Sequence, residues 1–348
     1  MAFPDFHNTF ADKGVVTTEA NRRELLLTQF SGDVLNFFDD KTIMGGRIRQ
    51  KTISTGKSYQ FPVTSYVQAA FHKPGTQITG QDPQNSARTI SIDDILYSSL
   101  NRHDLYEALG EWSDRQEYAQ AMANALAKSK DVMEMCEVIK AARSAATIPG
   151  KTNGGTQIVS DSFKVATGGA ADSNEMALAI FEALFQARQI LIEKNISGQL
   201  TFALNPQRYL SLMKAVQTNG FAVANQDYFG IPANLNEATL PRIAGFDIIP
   251  TNLLPAANMT ATGDAVGGTP GTFADTPLHT NHTVDASKTI GIIWHPDAVG
   301  TVTSIGLRTK MQERVDYLGE LLVSYFLLGS GVLRPECAIE LSLDSLSN

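Results

Sequence analysis

Cysteine is scarce in this chain of 348 residues, which contains only Cys136 and Cys337. Neither their number nor their spacing fits a disulfide framework or a zinc site, so the sequence favours a reducing compartment. The chain also lacks an apolar run of about 20 residues, the length that a membrane helix needs. The N-terminus lacks the basic start and the apolar core of a signal peptide. We therefore expect a soluble, cytoplasmic protein with no membrane partner.

The chain has no excess of positive charge. Charged residues make up 18% of it and hydrophobic residues 43%, and the formal net charge is -8. This composition is typical of globular protein rather than of a disordered tail. The acidic balance argues against a dedicated nucleic-acid binder, because such proteins usually present a basic face. The length suggests two or three structural units.

Recognisable catalytic motifs are missing as well. The sequence contains neither a G-x-S-x-G elbow nor an H-E-x-x-H pair. Residues 54–58 (STGKS) resemble the end of a phosphate-binding loop, but Lys51 stands where its first glycine belongs, and a strand pattern follows where a helix is required. A hairpin turn is the plainer interpretation. We therefore predict no catalytic residue and no cofactor.

Two histidines lie in a long loop that is rich in Gly, Thr and Pro, predicted at residues 261–283. His279 and His282 are close enough in sequence to share a metal, but only Asp275 and Asp285 stand nearby as further ligands. This set is a weak metal signature. We predict no metal site, and the length of the loop suggests a contact or a functional role.

The longest helical pattern runs from Ser113 to Ala142 without glycine or proline. Ser113 and Gln116 have the spacing of a capping box. Small or apolar residues recur in steps of three and four and predict one buried stripe, formed by Ala119, Met122, Leu126, Met133 and Cys136. The residues expected to face water are Glu117, Gln120, Asn124, Lys128 and Glu134. At about 1.5 Å per residue this helix is roughly 45 Å long.

The N-terminal part is predicted to contain an arm and a short helix. Residues 1–17 are polar with scattered phenylalanines and show no period, which indicates an arm. From residue 23 to residue 38, apolar side chains recur at helical spacing and predict an amphipathic helix. They are Leu26, Leu27, Phe30, Val34, Phe37 and Phe38.

An alternating pattern from Tyr59 to Phe71 predicts one long strand with an apolar face. The residues of this face are Tyr59, Phe61, Val63, Val67, Ala69 and Phe71. A turn at residues 73–75 and a returning strand at 89–92 complete a projecting hairpin. A two-stranded hairpin is marginal in water, and no nearby segment is an obvious cover. We therefore expect the apolar face to contact a neighbouring subunit.

The second half of the chain predicts a mixed sheet and a final group of strands. After a turn-rich passage at 148–170, helices are predicted at 172–195 and from Pro206, with strands at 200–204, 243–249 and 290–294. The last part predicts strands at 305–311, 321–328 and 338–343, with a turn at 329–331. We expect these last three strands to form one sheet under the long helix.

In this order and spacing, the chain resembles the major capsid proteins of tailed double-stranded-DNA bacteriophages, which share the Hong Kong 97 fold. It is most similar to the T-seven-like podovirus branch. The residues that carry the resemblance are 30–35 (FSGDVL), 53–63 (ISTGKSYQFPV), 68–70 (QAA), 295–302 (HPDAVGTV) and 331–336 (GVLRPE).

The resemblance implies an α+β fold with an N-terminal arm, an extended β-hairpin loop, a long spine helix, a peripheral three-stranded sheet and an inserted mixed α/β axial domain. The implied domains are the arm with its short helix (1–50), the extended loop (51–95), the peripheral domain with the spine helix (96–170), the axial domain (171–295) and the closing sheet of the peripheral domain (296–348).

The function implied by the resemblance is structural. Copies of the chain would assemble into hexamers and pentamers of an icosahedral phage head, located in the virion and assembled in the host cytoplasm. The head would enclose double-stranded DNA without sequence-specific binding and carry a portal protein at one vertex. Fewer than thirty residues precede the first helix, so we expect a separate scaffolding protein. Lys57 and Lys73 lie in the extended loop, but neither matches the lysine-to-asparagine cross-link found in some members.

We predict that six apolar residues lie at the subunit interface: Phe30, Tyr59, Phe61, Val63, Val67 and Phe71. Two alternatives stay open at this point. One is a cytoplasmic enzyme whose site lies at the edge of the 171–295 sheet, with the long loop as a lid. The other is a repeat or surface-layer protein, against which the absence of internal repeats argues.

Overall fold

The chain contains both helices and strands, as its sequence predicts. A computed structural model describes residues 19–63, 67–78, 80, 86–93, 95–103, 114–146, 154–164, 170–218, 242–261 and 275–344. The chain divides into two compact units.

The helices are α1 (Glu19–Lys41), α2 (Asp114–Arg143), α3 (Ala170–Glu193) and α4 (Pro206–Thr218). The first strands are β1 (Arg49–Thr52), β2 (Ser58–Val63), β3 (Ser86–Ser91), β4 (Leu96–His103), β5 (Thr156–Val159), β6 (Leu200–Leu204) and β7 (Phe246–Pro250). The later strands are β8 (Asn258–Met259), β9 (Val284–Asp285), β10 (Thr289–Trp294), β11 (Val299–Arg314), β12 (Gly319–Val332) and β13 (Ala338–Ser342).

Unit 1 consists of Met1–Ile43, Ile95–Lys128 and Ile305–Leu327. Its sheet has the strand order β11-β12-β4. β12 and β4 are antiparallel, in a register that pairs Gly319 with His103 and Phe326 with Leu96.

The core of unit 1 joins the two helices to one face of this sheet. Phe30 and Val34 of α1 pack with Ala119 and Met122 of α2 and with Leu322 of β12. The helical spacing of three and four places the α1 and α2 residues on single faces, as predicted. Helix α1 is therefore covered by its own chain rather than left for a neighbour.

Unit 2 consists of Met44–Asp94, Ser129–Ser304 and Leu328–Asn348. Its main sheet has five strands in the order β5-β13-β10-β6-β7. The three central strands are buried at every position, so both faces of this sheet are covered. Strand β10 is antiparallel to both of its neighbours, β13 and β6. The outer strand β5 is parallel to β13, and the outer strand β7 is parallel to β6. Separately, β2 pairs with β3 and β1 with β11.

Helix α2 confirms the predicted long helix and its buried stripe. All five residues of the stripe are buried, and Glu117, Gln120 and Asn124 are exposed as expected. The expectation for Glu134 is wrong, because its side chain is fully buried. Residues 131–139 are buried without exception, so this half of the helix is covered on all sides. The predicted cap Ser113 lies outside the described residues.

The predicted strand from Tyr59 to Phe71 is too long. Strand β2 ends at Val63, opposite Ser86 of β3, and residues 67–71 have no regular secondary structure. Residues 64–66 lie outside the described part. Among the described residues, the ladder of β2 and β3 ends at the pair of Val63 and Ser86.

The predicted turn at residues 329–331 and the predicted place of the last strand are also wrong. Residues 329–331 lie within β12. A Cβ at Gly329 would stand 2.1 Å from the backbone oxygen of Ser91, so this glycine permits a close approach of two backbones rather than a turn. Strand β13 pairs with β10 and β5, not with the 321–328 segment.

The remaining predicted elements agree with the structure within a few residues. Strands β6, β7 and β10 and helices α3 and α4 lie where the patterns place them. The predicted N-terminal arm (1–17), most of the long loop (262–274) and parts of the turn-rich passage (147–153 and 165–169) lie outside the described residues.

Candidate subunit interface

The hairpin β2–β3 carries the candidate interface on a firmly attached base. Beyond the ladder, the Ile92 amide donates to the Lys57 carbonyl at 2.9 Å, and the Asp93 amide donates to the Leu328 carbonyl at 3.2 Å. Ile90 and Ile92 are buried. The base of the hairpin is therefore part of the core of unit 2.

The loop beyond the hairpin exposes large apolar side chains. Val67 is 57% exposed, Ile78 is 75% exposed and Phe71 is fully exposed, at 106% of its reference area. A turn at Lys73 shapes the loop, since the Thr76 amide and hydroxyl donate to the Lys73 carbonyl at 3.2 and 2.7 Å. Large apolar side chains at this degree of exposure favour a contact surface.

The six predicted interface residues do not share one environment. Phe30 and Phe61 are buried at 7% and 6% exposure, and Tyr59 and Val63 are half-buried. For Phe61, the expectation that its own subunit leaves it uncovered is wrong. Phe30 is buried in the core of unit 1. The expectation holds for Val67 and Phe71, and the interface assignment itself stays a prediction.

Aromatic and basic side chains cover the face of the hairpin base. The rings of Tyr59 and Phe61 meet edge to face with centroids 4.8 Å apart. Arg49 lies over Phe61 at 5.6 Å and Lys51 over Tyr59 at 5.7 Å from the ring centroids. Such contacts between a cation and a ring stabilise by about 0.5–1 kcal/mol at exposed sites. Strand β1 thus covers Phe61 in place of a neighbouring subunit.

A cavity of about 290 Å³ opens beside Phe61. It is lined by Arg49, Phe61, Pro62, Val63, Asp297, Leu333 and Arg334. Its lining combines apolar side chains with three charged ones, of which Arg49 and Asp297 approach to 3.7 Å. Among the described residues, the cavity holds no grouping of a nucleophile with a base.

A buried histidine ties the base of the hairpin to α2. The Nε2 of His282 lies 2.6 Å from Asp93, just beyond β3, and its Nδ1 lies 2.8 Å from Glu137 of α2. Carboxylates only accept, so both ring nitrogens donate and the ring is an imidazolium. Asn281 donates to Asp93 at 2.7 Å and Lys140 donates to Glu137 at 3.0 Å. We call these five residues the His282 cluster.

The protonation of the His282 cluster follows from its contacts. Burial alone disfavours the imidazolium, but hydrogen bonds and charge from Asp93 and Glu137 raise the pKa of His282 to about 9. Burial likewise disfavours the Asp93 carboxylate, yet its hydrogen bond and ion pair with His282 hold the pKa of Asp93 below its ordinary value. Both ring nitrogens of His282 contact carboxylates, so neither is free to bind a metal ion.

A second buried carboxylate lies one turn away on α2. Thr301 donates to Oε1 of Glu134 at 3.0 Å, and Oε2 has no hydrogen-bond partner among the described residues. Burial raises the pKa of Glu134 to about 7, against the charge of Lys130 and with the charge of Asp131. Asp131 itself accepts from the Met44 amide at 3.2 Å.

Sequence reasoning missed these polar contacts, although a signal exists. Asp131, Glu134 and Glu137 recur every three residues inside a stretch that is otherwise mostly apolar. Carboxylates so placed lie on neighbouring sides of a helix and need partners if the apolar residues around them are buried. Their distant partners are Met44 for Asp131, Thr301 for Glu134 and His282 for Glu137, which no local pattern identifies.

The described residues offer little to redox or metal chemistry. Burial raises the pKa of the Cys136 thiol to about 12, so it is unreactive as a nucleophile. No group of three or more His, Cys, Asp or Glu side chains in the described part of the chain is arranged to hold a metal ion. None of the helices described is both long and apolar enough to cross a membrane.

Comparison with protein families gives one match that covers most of the chain. Residues 60–342 match the family described as Gp10A-like major capsid protein. The major capsid protein of Enterobacteria phage T3 is 26% identical, over 97% of this chain and 96% of that protein. The major capsid protein of Escherichia phage T7 is also 26% identical, over 94% and 93% of the two chains.

Solved structures give the same result at the level of the fold. A chain in the capsid structure of cyanophage P-SCSP1u is 29% identical and superposes with a TM-score of 0.68, covering 88% of this chain and 89% of that one. A chain of the mature capsid of bacteriophage PhiM1 is 18% identical with a TM-score of 0.65, covering 88% of each. These likenesses confirm the predicted α+β fold of the Hong Kong 97 type.

Proposed function

Because the chain belongs to the Gp10A-like major capsid protein family, we propose that its copies form the hexamers and pentamers of an icosahedral phage head. The role of the protein is structural, and its copies assemble into the capsid of the virion, as its relatives named major capsid proteins do. The alternative of a cytoplasmic enzyme has no support among these relatives.

One observation supports a subunit contact at the extended loop. Val67, Phe71 and Ile78 expose more than half of their surface on a loop whose base is anchored. Burying a large apolar side chain stabilises by about 1.5–3 kcal/mol. In a shell this gain is repeated at every equivalent contact. We assign Val67 and Phe71 to the interface, with Tyr59 and Val63 at its edge.

Phe30 and Phe61 have a different part in this proposal. Each is already buried within one chain, so its contribution to assembly is indirect. Phe30 stabilises the packing of α1, and Phe61 stabilises the base of the loop. A loop held at its base presents Val67 and Phe71 to a neighbour with less loss of conformational entropy on binding.

The remaining partners are proposed from the family resemblance. They are a separate scaffolding protein, a portal protein at one vertex and the enclosed double-stranded DNA, with assembly in the host cytoplasm. The net charge of -8 supports an enclosure that does not grip DNA, since attraction to phosphates requires clustered Lys and Arg. No sequence-specific reading of DNA is part of this proposal.

We assign a separate structural role to each of the domains implied by the sequence. The extended loop (51–95) contacts neighbours, whereas the helix of the N-terminal region (1–50) packs within its own chain. Residues 96–170 and 296–348 form the peripheral domain, and residues 171–295 form the axial domain. The mixed helices and strands of 171–295 support an axial domain.

Electron microscopy tests the proposal. The chain is expressed with and without a candidate scaffolding protein, and closed shells are the expected product. The variant Phe71→Asp is expected to stay folded and to lose shells, because a charge at a buried contact is strongly unfavourable. The variant His72→Asp adds the same charge at the adjacent exposed position and serves as the matched control.

Two results would contradict the proposal. A wild-type chain that persists as a small oligomer in every condition is incompatible with a shell function. Normal shells from Phe71→Asp would remove the extended loop from the interface while leaving the shell function intact.

A further inference from the structure

The last part of the long loop joins α2 to the base of the extended loop. We call residues 275–285 the strap, and it contains one turn of 3₁₀ helix, Thr280–His282. One end of the strap is fixed at Asp285, whose carbonyl accepts from Arg143 of α2 at 2.8 Å. The turn is fixed separately, by the His282 cluster. The strap therefore has two attachments that depend on different charged groups.

The ring of His282 lies between two carboxylates from separate elements. Its Nε2 is 2.6 Å from Asp93, beyond β3, and its Nδ1 is 2.8 Å from Glu137 of α2. The side chain is only 1% exposed, so water cannot replace either contact. A neutral imidazole has a proton on one nitrogen only. It could donate to one carboxylate, while the lone pair of its second nitrogen would face the other. Both contacts therefore require the charged ring.

Charged groups face this ring from each element that packs against it. Asp93 follows β3, and Glu137 and Lys140 belong to α2. His279, on the same turn, lies 3.7 Å from Asp93. Glu134, one helical turn before Glu137, is close enough for the charge of the ring to act on its pKa. Loss of the ring proton would leave the carboxylates of Asp93 and Glu137 with Lys140 as the cation bonded to the cluster.

We propose that the His282 cluster is a latch closed by the charge of one ring: the imidazolium fastens the strap to α2 and to the base of the extended loop, and loss of its proton to hydroxide opens the latch. The open state keeps the attachment of the strap at Asp285 and releases the turn Thr280–His282. The inference concerns the single protomer, so it does not depend on the proposed shell function.

The rest of unit 2 is held by contacts that do not involve the ring. The amide of Ile92 donates to the carbonyl of Lys57 at 2.9 Å, within the extended loop. Arg143 and Glu340 join the end of α2 to the main sheet. Opening of the latch should therefore change the strap while the hairpin and α2 stay in place.

The direction of the pH dependence follows from the two contacts of the ring. They raise the pKa of His282 from its ordinary value of 6.5 to about 9, so the stability that they give the closed latch is complete below pH 6.5 and is lost as the pH rises through 9. This shift changes the ratio of closed to open latches by roughly 300-fold. The pKa of Asp93 is held below its ordinary value of 3.8, so its contribution is present above pH 3.8. The latch therefore opens in alkaline solution.

A spin label on the strap measures this opening in the full-length protomer. Both native cysteines are buried, so the cysteine of the variant Thr280→Cys, at an exposed position, takes the label selectively. Electron paramagnetic resonance should show a rise of about ten-fold or more in the ratio of mobile to immobile label between pH 7 and pH 10. Ser162→Cys carries the control label on an exposed turn elsewhere in unit 2, and its spectrum should not change.

Matched variants identify the group that titrates. His282→Gln should give a mobile label on the strap at every pH, whereas His279→Gln removes the other ring of the turn and should keep the wild-type profile. Asp93→Asn keeps the His282 ring and removes one of its two carboxylates, so it should move the opening towards neutral pH. Proton NMR of the histidine rings should show the pKa of His282 near 9 in the wild type and lower in Asp93→Asn.

Four results would overturn the inference. Equal mobility of the strap label at pH 7 and pH 10 in the wild type would exclude a latch. A wild-type profile in His282→Gln would assign the titration to another group. An unchanged profile in Asp93→Asn would do the same, and this variant retains the ring, so the test does not depend on the folding of His282→Gln. Equal loosening of the control label at position 162 would show that unit 2 unfolds as a whole.

Discussion

One fully buried ion pair links three distant segments of unit 2. Arg143 of α2 donates through Nε and Nη2 to the two carboxylate oxygens of Glu340 of β13, each at 2.8 Å. Its Nη1 donates to the Asp285 carbonyl of β9 at 2.8 Å. Both side chains of the pair are fully buried. Such a pair holds the end of α2 to the sheet, because either partner alone would be an uncompensated buried charge.

Removal of one partner of this pair is expected to be costly. Arg143→Ala should lower the free energy of unfolding by about 3–5 kcal/mol, since the buried Glu340 loses its counter-charge and keeps only the hydrogen bond from Thr289. Urea unfolding of the protomer measures the change. Arg242→Ala removes the exposed bidentate partner of Asp247 and is the control, for which we expect no measurable change. A loss in Arg143→Ala no larger than in this control would contradict the role of the buried pair.

Glu134 should make the stability of the protomer depend on pH. Its pKa of about 7 in the folded chain lies above the ordinary value of 4.5 for a glutamate side chain, so the folded state favours the protonated form. Its contribution is complete below pH 4.5 and is lost as the pH rises through 7. A shift of this size corresponds to about 3 kcal/mol at alkaline pH.

The variant Glu134→Gln isolates this effect. Glutamine resembles the protonated acid, so the variant should equal the wild type near pH 4.5 and exceed its stability by about 3 kcal/mol at pH 8. His282, whose pKa is raised to about 9, is present in both proteins. Thermal melting between pH 4.5 and 8 provides the measurement, with Glu117→Gln on the exposed side of α2 as control. A constant difference across this range would refute a titrating Glu134.

At the scale of elements, the local sequence pattern predicts the features that depend on residues close in the chain, such as the position of a helix. Helix α2 is recognisable because thirty residues keep one apolar spacing without glycine or proline. The burial of Glu134 on the opposite side depends on Thr301, which is far away in the chain. A one-sided helical pattern therefore locates the helix but cannot show that its second half is buried all round.

The glycines of the long strands β11 and β12 also depend on contacts that the local sequence does not reveal. Gly329 looks like part of a turn in the sequence, but in β12 it lies against the backbone of Ser91. Gly306 of β11 has nothing within 4 Å of its Cβ position. The close approach of the Ser91 backbone therefore requires a glycine at position 329, whereas no close contact requires a glycine at position 306.

Alanine substitution separates the two glycines. Gly329→Ala would place a methyl group 2.1 Å from the Ser91 oxygen. The resulting backbone shift should lower the free energy of unfolding by about 1–3 kcal/mol or more, the usual cost of overpacking. Gly306→Ala should be neutral or stabilising by up to about 1 kcal/mol, because glycine weakens a strand interior. Urea unfolding of both variants measures this. Equal effects would contradict the close approach.

At the scale of the molecule, the family resemblance predicts the fold, whereas the alternation of residues does not predict strand partners. A period of two identifies Ala338–Ser342 as a strand, but its partners β10 and β5 lie about 50 and 180 residues earlier. Any long-range pairing that buries an apolar strand satisfies the same pattern. The alternating pattern also fails to show which residues of the candidate interface are exposed, since one predicted face contains both buried Phe61 and exposed Phe71.

Variants of Phe61 and Phe71 can therefore distinguish a residue that stabilises the protomer from one that acts only in assembly. Phe61 is buried under Arg49 and beside Tyr59, so Phe61→Asp loses its apolar contacts and buries a charge. We expect the protomer to lose about 3–5 kcal/mol, the range for truncation of a buried phenylalanine, or more. Phe71 is fully exposed, so Phe71→Asp should leave the protomer as stable as the wild type.

Thermal melting and sedimentation on the same samples distinguish the two roles. Phe61→Asp should lose melting temperature first and shells as a consequence, whereas Phe71→Asp should lose shells at an unchanged melting temperature. A second, stabilising substitution such as Glu134→Gln at pH 8 should restore part of the assembly of a destabilised protomer but not that of Phe71→Asp. Restoration of shells in Phe71→Asp by added stability would show that this residue acts in folding, and the extended loop would then lose its place at the interface.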